Sequence, residues 1–347
     1  MSLFPRIELR TIAGLSASSN KPTLLGAAPL VMFALLACSN LGAPPTLWPL
    51  PVPGARQITS DLAYYRDLIW APDARLIAAT RCPVVSAEPR CQHQEETVLL
   101  QPETAGLEVV DLRTNMPDTI ASRPVAWSPG SDKLLLYVEE RVAGEGAAGS
   151  QYSYLEYEVA TREFEVLGLV GTAIAWDDTG ERLLMIRPAD AGIELGWTAI
   201  ETGDFAIELV YTGQESLLGP YALSPDGGTL LRGDNVQASL CNEVGSYQMG
   251  SHGAFEPYLS LACFPSWSPD GSEVVYAEKN DPKSLPSRLV VIEADGSNPR
   301  PVLGEEKYSG LSFPAWSPDG RWIAFTRTGL GNASAVYIAE APAGTPP

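Results

Sequence analysis

Short apolar runs recur along most of the chain, and the clearest ones follow a turn-forming tetrapeptide. Val274-Val275-Tyr276 follows one copy of Ser-Pro-Asp-Gly, and Ile323-Ala324-Phe325 follows another. Proline and glycine supply the φ angles of a tight turn, and aspartate can bond the local backbone. A run that is apolar on both faces indicates a strand covered on both sides. The pattern therefore predicts β-hairpins that stack face to face.

Six copies of this unit lie 44 to 57 residues apart. Leu223 stands before the fourth turn, whereas tryptophan stands there in the other five units, at Trp70, Trp127, Trp176, Trp267 and Trp316. Aspartate recurs within the turns, at Asp73, Asp226, Asp270 and Asp319. We assign the tryptophans to packing between units, because they recur whatever surrounds them. Four strands in about 45 residues are typical of a propeller blade. We therefore predict an all-β, six-bladed propeller of four-stranded antiparallel blades.

The repeat resembles the WD40-like β-propeller repeat of the TolB type. The resemblance rests on the Trp-Ser-Pro-Asp-Gly hairpins of units five and six and on the segment Ala294–Arg300. It covers residues 56–347 and implies six blades. The last unit lacks a fourth strand, and Arg56–Thr59 resembles the fourth strand of the family's repeat. We expect this segment to complete the last blade and close the ring, because an unpaired edge invites aggregation.

An uncharged run of fourteen residues, 24–37, follows Arg6, Arg10 and Lys21. A membrane-spanning helix needs about 20 apolar residues, so the run fits a secretory signal better. Its end, Leu35-Leu36-Ala37-Cys38, resembles the lipobox of bacterial lipoproteins, in which the cysteine is diacylated and becomes the first residue. We expect a signal peptide over 1–37, a lipid anchor on Cys38 and a Pro-rich tether over 38–55. The alternative is a signal that carries a chance cysteine.

Four cysteines remain for the exported chain, Cys82, Cys91, Cys241 and Cys263. Three pairings are possible, and we favour Cys82–Cys91 with Cys241–Cys263 because both close short loops. The alternative is buried free thiols, which pack as small apolar residues. In the fourth unit we expect the third strand to start near Gly245. Cys241 then lies in the loop before that strand, within reach of Cys263.

The formal net charge is −19, from 42 acidic and 23 basic residues. This balance excludes nucleic acid as a partner, because Lys and Arg supply most of that affinity. No nucleophile elbow, zinc-protease or phosphate-loop motif occurs, and His93 and His252 are isolated. Turn chemistry explains the repeated aspartates without calcium. We therefore expect no catalytic residue, metal or cofactor, and no enzymatic activity.

These expectations together describe a lipid-anchored propeller facing the periplasm or the exterior. The TolB resemblance implies a partner at the cell envelope, since TolB works in a complex with a peptidoglycan-associated lipoprotein. Loop variation on the face opposite the Ser-Pro-Asp-Gly turns favours recognition there. We expect a non-catalytic scaffold that binds a protein or another ligand. The alternative is a propeller enzyme, or a binder of a sugar-type ligand, that uses the axial channel.

Overall fold

The computed structural model describes residues 51–83, 95–142, 149–190, 192–211, 219–234, 241–252, 254–303, 310–329 and 333–342. Within these ranges every regular element is a β-strand, and the strands form six sheets of four. Neighbouring strands within each sheet are antiparallel. The predicted six-bladed propeller of four-stranded blades is confirmed. No helix in these ranges is both long and apolar enough to cross a membrane.

The first three blades each follow the chain from the innermost strand outwards. Blade one is β2 (Ala63–Trp70), β3 (Ile77–Pro83), β4 (Glu96–Gln101) and β5 (Gly106–Val109). Blade two is β6 (Thr119–Trp127), β7 (Lys133–Val142), β8 (Gly149–Glu158) and β9 (Phe164–Leu167). Blade three is β10 (Thr172–Trp176), β11 (Arg182–Ala189), β12 (Gly192–Ala199) and β13 (Phe205–Tyr211).

Blades four and five keep the same order, and blade six borrows its outer strand from the start of the fold. Blade four is β14 (Tyr221–Leu223), β15 (Thr229–Gly233), β16 (Glu243–Gln248) and β17 (Glu256–Ser260). Blade five is β18 (Ala262–Trp267), β19 (Glu273–Glu278), β20 (Arg288–Glu293) and β21 (Arg300–Pro301). Blade six is β22 (Leu311–Trp316), β23 (Trp322–Thr328), β24 (Ser334–Glu340) and β1 (Ala55–Gln57).

The two ends of the fold meet in blade six. Strand β1 pairs antiparallel with β24, and Arg56 lies opposite Ile338. The backbone N–H of Ile58 then donates to the carbonyl of Val336 at 2.8 Å. This pairing confirms the predicted closure of the ring. The folded part of the chain begins earlier than expected, because Val52 is buried in the core. Residues 51–55 of the predicted tether therefore belong to the folded unit.

The hydrophobic core lies between blades, because the second strand of every blade has buried apolar residues on both faces. One cluster joins Ile77 and Val98 of blade one to Ala324 and Ile338 of blade six, all fully or almost fully buried. Similar clusters join blades one and two and blades four and five. Burial on both sides of a sheet explains why these strands show continuous apolar runs and no alternation.

Three of the five repeat tryptophans connect neighbouring blades through their indole nitrogens. Trp70 Nε1 donates to the carbonyl of Ala315 in blade six at 3.0 Å, and Trp127 Nε1 donates to that of Ile69 at 3.2 Å. Trp267 Nε1 donates to Ala222 at 3.1 Å. Each acceptor is the residue just before the repeat position of the preceding blade. Buried indoles usually find such a partner, so the tryptophan supplies both packing and registration between blades.

A disulfide links the fourth blade to the fifth: Cys241 lies before the third strand of blade four, Cys263 lies in β18 of blade five, and their Cα atoms are 5.6 Å apart. The third strand, β16, begins at Glu243, so Cys241 lies just before it as predicted. Lys279 is buried next to this bond and donates to the carbonyl oxygens of Cys241 and Pro282 at 3.0 and 2.8 Å. Cys82 is buried and disulfide-bonded. Its predicted partner Cys91 lies outside the described residues, as does Cys38.

Candidate ligand-binding site at the axial mouth

A cavity of about 460 Å³ opens where the six innermost strands converge. These strands contact one another in sequence around the ring. Every blade supplies lining residues from its first strand or the segment leading into it, among them Leu68, Pro124, Ala173, Tyr221, Pro265 and Pro314. The cavity lies on the side opposite the Ser-Pro-Asp-Gly turns, which we call the insertion face. We call this cavity the axial mouth.

The wall of the axial mouth contains three residues with unusual backbone geometry. Asp67, Phe264 and Phe313 have φ angles of 54°, 54° and 52°. Each lies three residues before the repeat tryptophan of its blade, inside a β-bulge of the innermost strand. Left-handed φ is rare for bulky residues, and bulges re-aim side chains next to functional sites. Such strain concentrates at ligand-binding and active sites.

The wall of the mouth is largely aromatic. The rings of Phe264 and Phe313 lie 4.2 Å apart between centroids, and Phe264 is almost fully buried. On the opposite wall, the Tyr154 hydroxyl donates to the carbonyl of Gly171 at 3.1 Å and accepts from the N–H of Ala173 at 2.9 Å. The ring centroid of Tyr137 lies 5.4 Å from that of Tyr154. These contacts hold an apolar surface in one arrangement before any ligand binds.

Charged side chains at the rim form one connected network. The buried carboxylate of Glu95 accepts from Arg66 Nη2 at 2.5 Å and from Arg123 Nε. Asp67 lies 3.5 Å from Arg66 Nε and accepts from the Thr80 hydroxyl at 2.9 Å. Burial opposes the charge on Arg66, but Asp67 and Glu95 outweigh it and raise the pKa of the guanidinium. The rim is therefore ionised yet nearly balanced in charge.

Burial also keeps the tyrosine next to the rim in its neutral form. The pKa of Tyr137 is raised to about 12, mainly because burial disfavours the phenolate. The hydroxyl therefore stays a hydrogen-bond donor and acceptor at every physiological pH. Together the mouth offers an apolar pocket, neutral phenols and the charged side chains of Asp67 and Arg123, which are paired with Arg66 and Glu95.

The candidate residues named from the sequence lie away from this mouth. Asp73, Asp226, Asp270 and Asp319 lie in the turns on the opposite face, where Asp270, for example, accepts from the Ser268 hydroxyl at 2.7 Å. His252 is exposed and its Nδ1 lies 2.8 Å from the carbonyl of Glu208. His93 lies outside the described residues. Across the part of the chain that the structure describes, no cluster of three His, Cys, Asp or Glu side chains could hold a metal ion.

Sequence reasoning did not identify the lining residues of the mouth. A signal for them exists, because Asp67, Phe264 and Phe313 share a fixed position before the repeat tryptophan. A fixed position identifies neither a bulge nor a positive φ, since both depend on how the strand pairs with its neighbour.

No known family model matches the sequence, and no curated protein matches it. Solved structures do match. An oligogalacturonate lyase from Vibrio parahaemolyticus is 13% identical with a TM-score of 0.53, over 83% of this chain and 93% of that one. A putative TolB from Agrobacterium tumefaciens is 16% identical with a TM-score of 0.51, over 83% and 94%. XC5397, a gluconolactonase from Xanthomonas campestris, is 12% identical with a TM-score of 0.52, over 84% and 92%.

At these identities the likeness shows the fold alone, and the protein is thus a six-bladed β-propeller with TolB-like structural neighbours. We predicted no enzymatic activity from the sequence motifs. That inference is wrong, because proteins with the same fold include an oligogalacturonate lyase and a gluconolactonase. Function resides in sites placed on a fold and does not follow from it. A propeller draws its site from six separate strands, so contiguous sequence motifs do not reveal or exclude catalysis.

The disulfide between Cys241 and Cys263 indicates an exported protein.

Proposed function

We propose that the protein is an exported, lipid-anchored propeller that binds an apolar segment of an envelope protein in its axial mouth. The observation that carries this proposal is the convergence of all six innermost strands on one aromatic cavity, with Asp67, Phe264 and Phe313 held at positive φ. The lipid on Cys38 would hold the propeller at the membrane surface. The segment before Val52 would act as the tether.

The size and chemistry of the mouth support a small inserted element. A volume of about 460 Å³ lies within the range of known ligand pockets. Pro265, Pro314 and the paired phenylalanines offer apolar contact at low entropic cost, because the rings are already packed. Asp67 and Arg123 at the rim can bond the backbone of an entering segment. The acidic surface favours a partner with a basic or neutral face.

A second candidate is a small sugar-type ligand in the same mouth, bound with or without chemistry. The neutral Tyr137 hydroxyl beside the Asp67–Arg123 rim favours it, because that set both donates and accepts hydrogen bonds. Two of the structural neighbours carry the names of enzymes, oligogalacturonate lyase and gluconolactonase. A protein segment and a sugar would compete for one site, so a single blocking variant tests both.

The test fills the mouth with an indole. Val125 lines the cavity, and Val125→Trp should obstruct it. Val166→Trp is the matched control, since Val166 is exposed on the outer strand of the same blade. The variants are expressed in the native host, and partners are captured after cross-linking of solubilised envelopes. We expect the wild type and the control to retain one shared partner that Val125→Trp loses.

Equal capture by all three proteins would remove the mouth from the proposed interface. If no protein is retained by any of them, a panel of mono- and oligosaccharides is tested by calorimetry on the same variants. Binding that Val125→Trp abolishes would then support the sugar-type candidate. An unchanged melting temperature of Val125→Trp is required in both arms, because the substitution must block the cavity and leave the fold intact.

A further inference from the structure

The fourth blade breaks the tryptophan repeat, and this break has a structural consequence on the turn face. In blades one, two and five the repeat indole donates to a carbonyl of the preceding blade. Leu223 occupies this position in blade four, and its side chain has no N–H group to donate. The carbonyl that an indole would contact there is that of Ala175, the residue before Trp176 in blade three. Leu223 is also only half-buried. The smaller side chain leaves unfilled space between blades three and four.

A cavity of about 530 Å³ lies at this break, is lined by residues of blades two, three and four, and shares no lining residue with the axial mouth. Leu223 and Ala175 line it, and so do three tryptophans, Trp127, Trp176 and Trp197. Carboxylates from the turns surround it, those of Asp177, Asp178 and Asp226. We call this cavity the turn-face pocket. Its walls combine indole rings with acidic groups.

A buried donor in the turn-face pocket lacks an acceptor. The side chain of Trp176 is 9% exposed, and its Nε1 has no hydrogen-bond partner within the described ranges. The other repeat indoles of blades one, two, five and six all donate to a carbonyl. A buried polar group left unpaired costs free energy, typically about 1–3 kcal/mol. A ligand oxygen that accepted from this nitrogen would recover that cost.

The charges around the pocket favour a cation. Asp177 accepts from Arg182 Nε at 2.8 Å, which neutralises that carboxylate locally. Bonds from Ser224 and Gly228 lower the pKa of Asp226, so it stays ionised. Asp178 is exposed on the same rim. One guanidinium therefore faces three carboxylates, and the pocket carries a net negative charge.

The pocket already contains one cation on an aromatic face. The guanidinium carbon of Arg182 lies 5.3 Å from the ring centroid of Trp197. Cations bind to indole faces more strongly than to other aromatic rings, and ammonium ligands are recognised by such aromatic walls. The other two indoles, Trp127 and Trp176, are 7% and 9% exposed, so the half-buried Trp197 supplies the accessible ring face, beside the carboxylates of Asp178 and Asp226.

We propose that the turn-face pocket binds a small organic ammonium ion that carries a hydroxyl or carbonyl oxygen. The ammonium group lies beside the ring of Trp197 and the carboxylates of Asp178 and Asp226. The oxygen accepts from Trp176 Nε1. This site does not depend on the function proposed for the axial mouth, because the two cavities share no lining residue.

Three small probes distinguish the contribution of the positive charge from that of the oxygen atom. Choline carries both the cation and the hydroxyl oxygen, 3,3-dimethyl-1-butanol has the same shape without the charge, and tetramethylammonium lacks the oxygen. Calorimetry on the intact protein measures affinity, and the ¹⁵N–¹H spectrum reports the indole N–H of Trp176. We expect choline to bind about tenfold more tightly than the alcohol, since a desolvated cation–indole contact contributes roughly that factor. Choline should shift the Trp176 signal and tetramethylammonium should not.

Two kinds of variant locate the site. Leu223→Trp restores the repeat residue, should fill the pocket and should abolish choline binding. Leu62→Trp is the matched control, because Leu62 is 62% exposed outside the pocket, and it should bind choline as the wild type does. If Leu223→Trp does not fold, Asp178→Asn combined with Asp226→Asn tests the same site through exposed positions. That variant should bind choline several-fold more weakly and bind the alcohol unchanged.

Equal affinities for choline and its uncharged analogue would overturn the proposal, and so would undiminished choline binding by Leu223→Trp. The absence of measurable binding for all three probes would overturn it as well. A Trp176 signal that choline leaves unshifted would disprove the role of the oxygen. Partner capture through the axial mouth should be the same for Leu223→Trp and the wild type, which keeps the two proposals separable.

Discussion

The disulfide between Cys241 and Cys263 should contribute a large share of the stability of the propeller. The bond joins residues 22 apart in sequence. Closing a loop of this length in the unfolded chain is worth roughly 3 kcal/mol in the chain-entropy model. The entropy of unfolding is about 2.1 cal/mol/K per residue, so a loss of that size lowers the melting temperature of a propeller of roughly 290 residues by about 5 °C. Both cysteines are fully buried, so their replacement also removes packed sulfur atoms.

The assay compares Cys241→Ala with the double variant Cys241→Ala, Cys263→Ala by urea unfolding. The single change already removes the cross-link, so it should cause most of the loss, and the second change should add only the packing of one sulfur. Thiol titration of the unfolded wild type should find neither cysteine free without a reductant. Free thiols, or unfolding midpoints equal to that of the wild type, would refute the reasoning.

Three further outcomes are expected. Ile58→Ala should cost about 2–4 kcal/mol in urea unfolding, because Ile58 is 4% exposed in the core between blades one and six, whereas Leu62→Ala, on an exposed side chain, should cost little. Cys38→Ser should lose incorporation of a fatty-acid analogue in the native host, and equal labelling would exclude the lipid anchor. The pKa of Asp270 is lowered by bonds from Ser268 and Ser272, so its contribution to stability is present above its ordinary pKa of 3.8 and is lost as pH falls through the lowered value. Asp270→Asn should therefore flatten the fall in melting temperature below about pH 4, and an unchanged pH profile would contradict the assignment.

The repeat alone determined the architecture of this protein. Apolar runs after Ser-Pro-Asp-Gly turns and tryptophans at a fixed position are local signals, and each is read within a few residues. The missing last strand, together with Arg56–Thr59, was enough to predict ring closure. The same reasoning located Cys241 before the third strand of blade four. These predictions succeeded because turn chemistry and strand periodicity depend on neighbours in sequence.

The two candidate cavities depended on tertiary structure. The axial mouth is assembled from six strands that are far apart in the chain, and its wall depends on bulges that place Asp67, Phe264 and Phe313 at positive φ. Leu223 was visible in the sequence as a weak repeat, but only the packing of blades three and four turns it into a pocket. A missing side chain becomes a cavity or is filled by its neighbours according to how well the surroundings can collapse. That response is a property of the packed interior, and no local pattern encodes it.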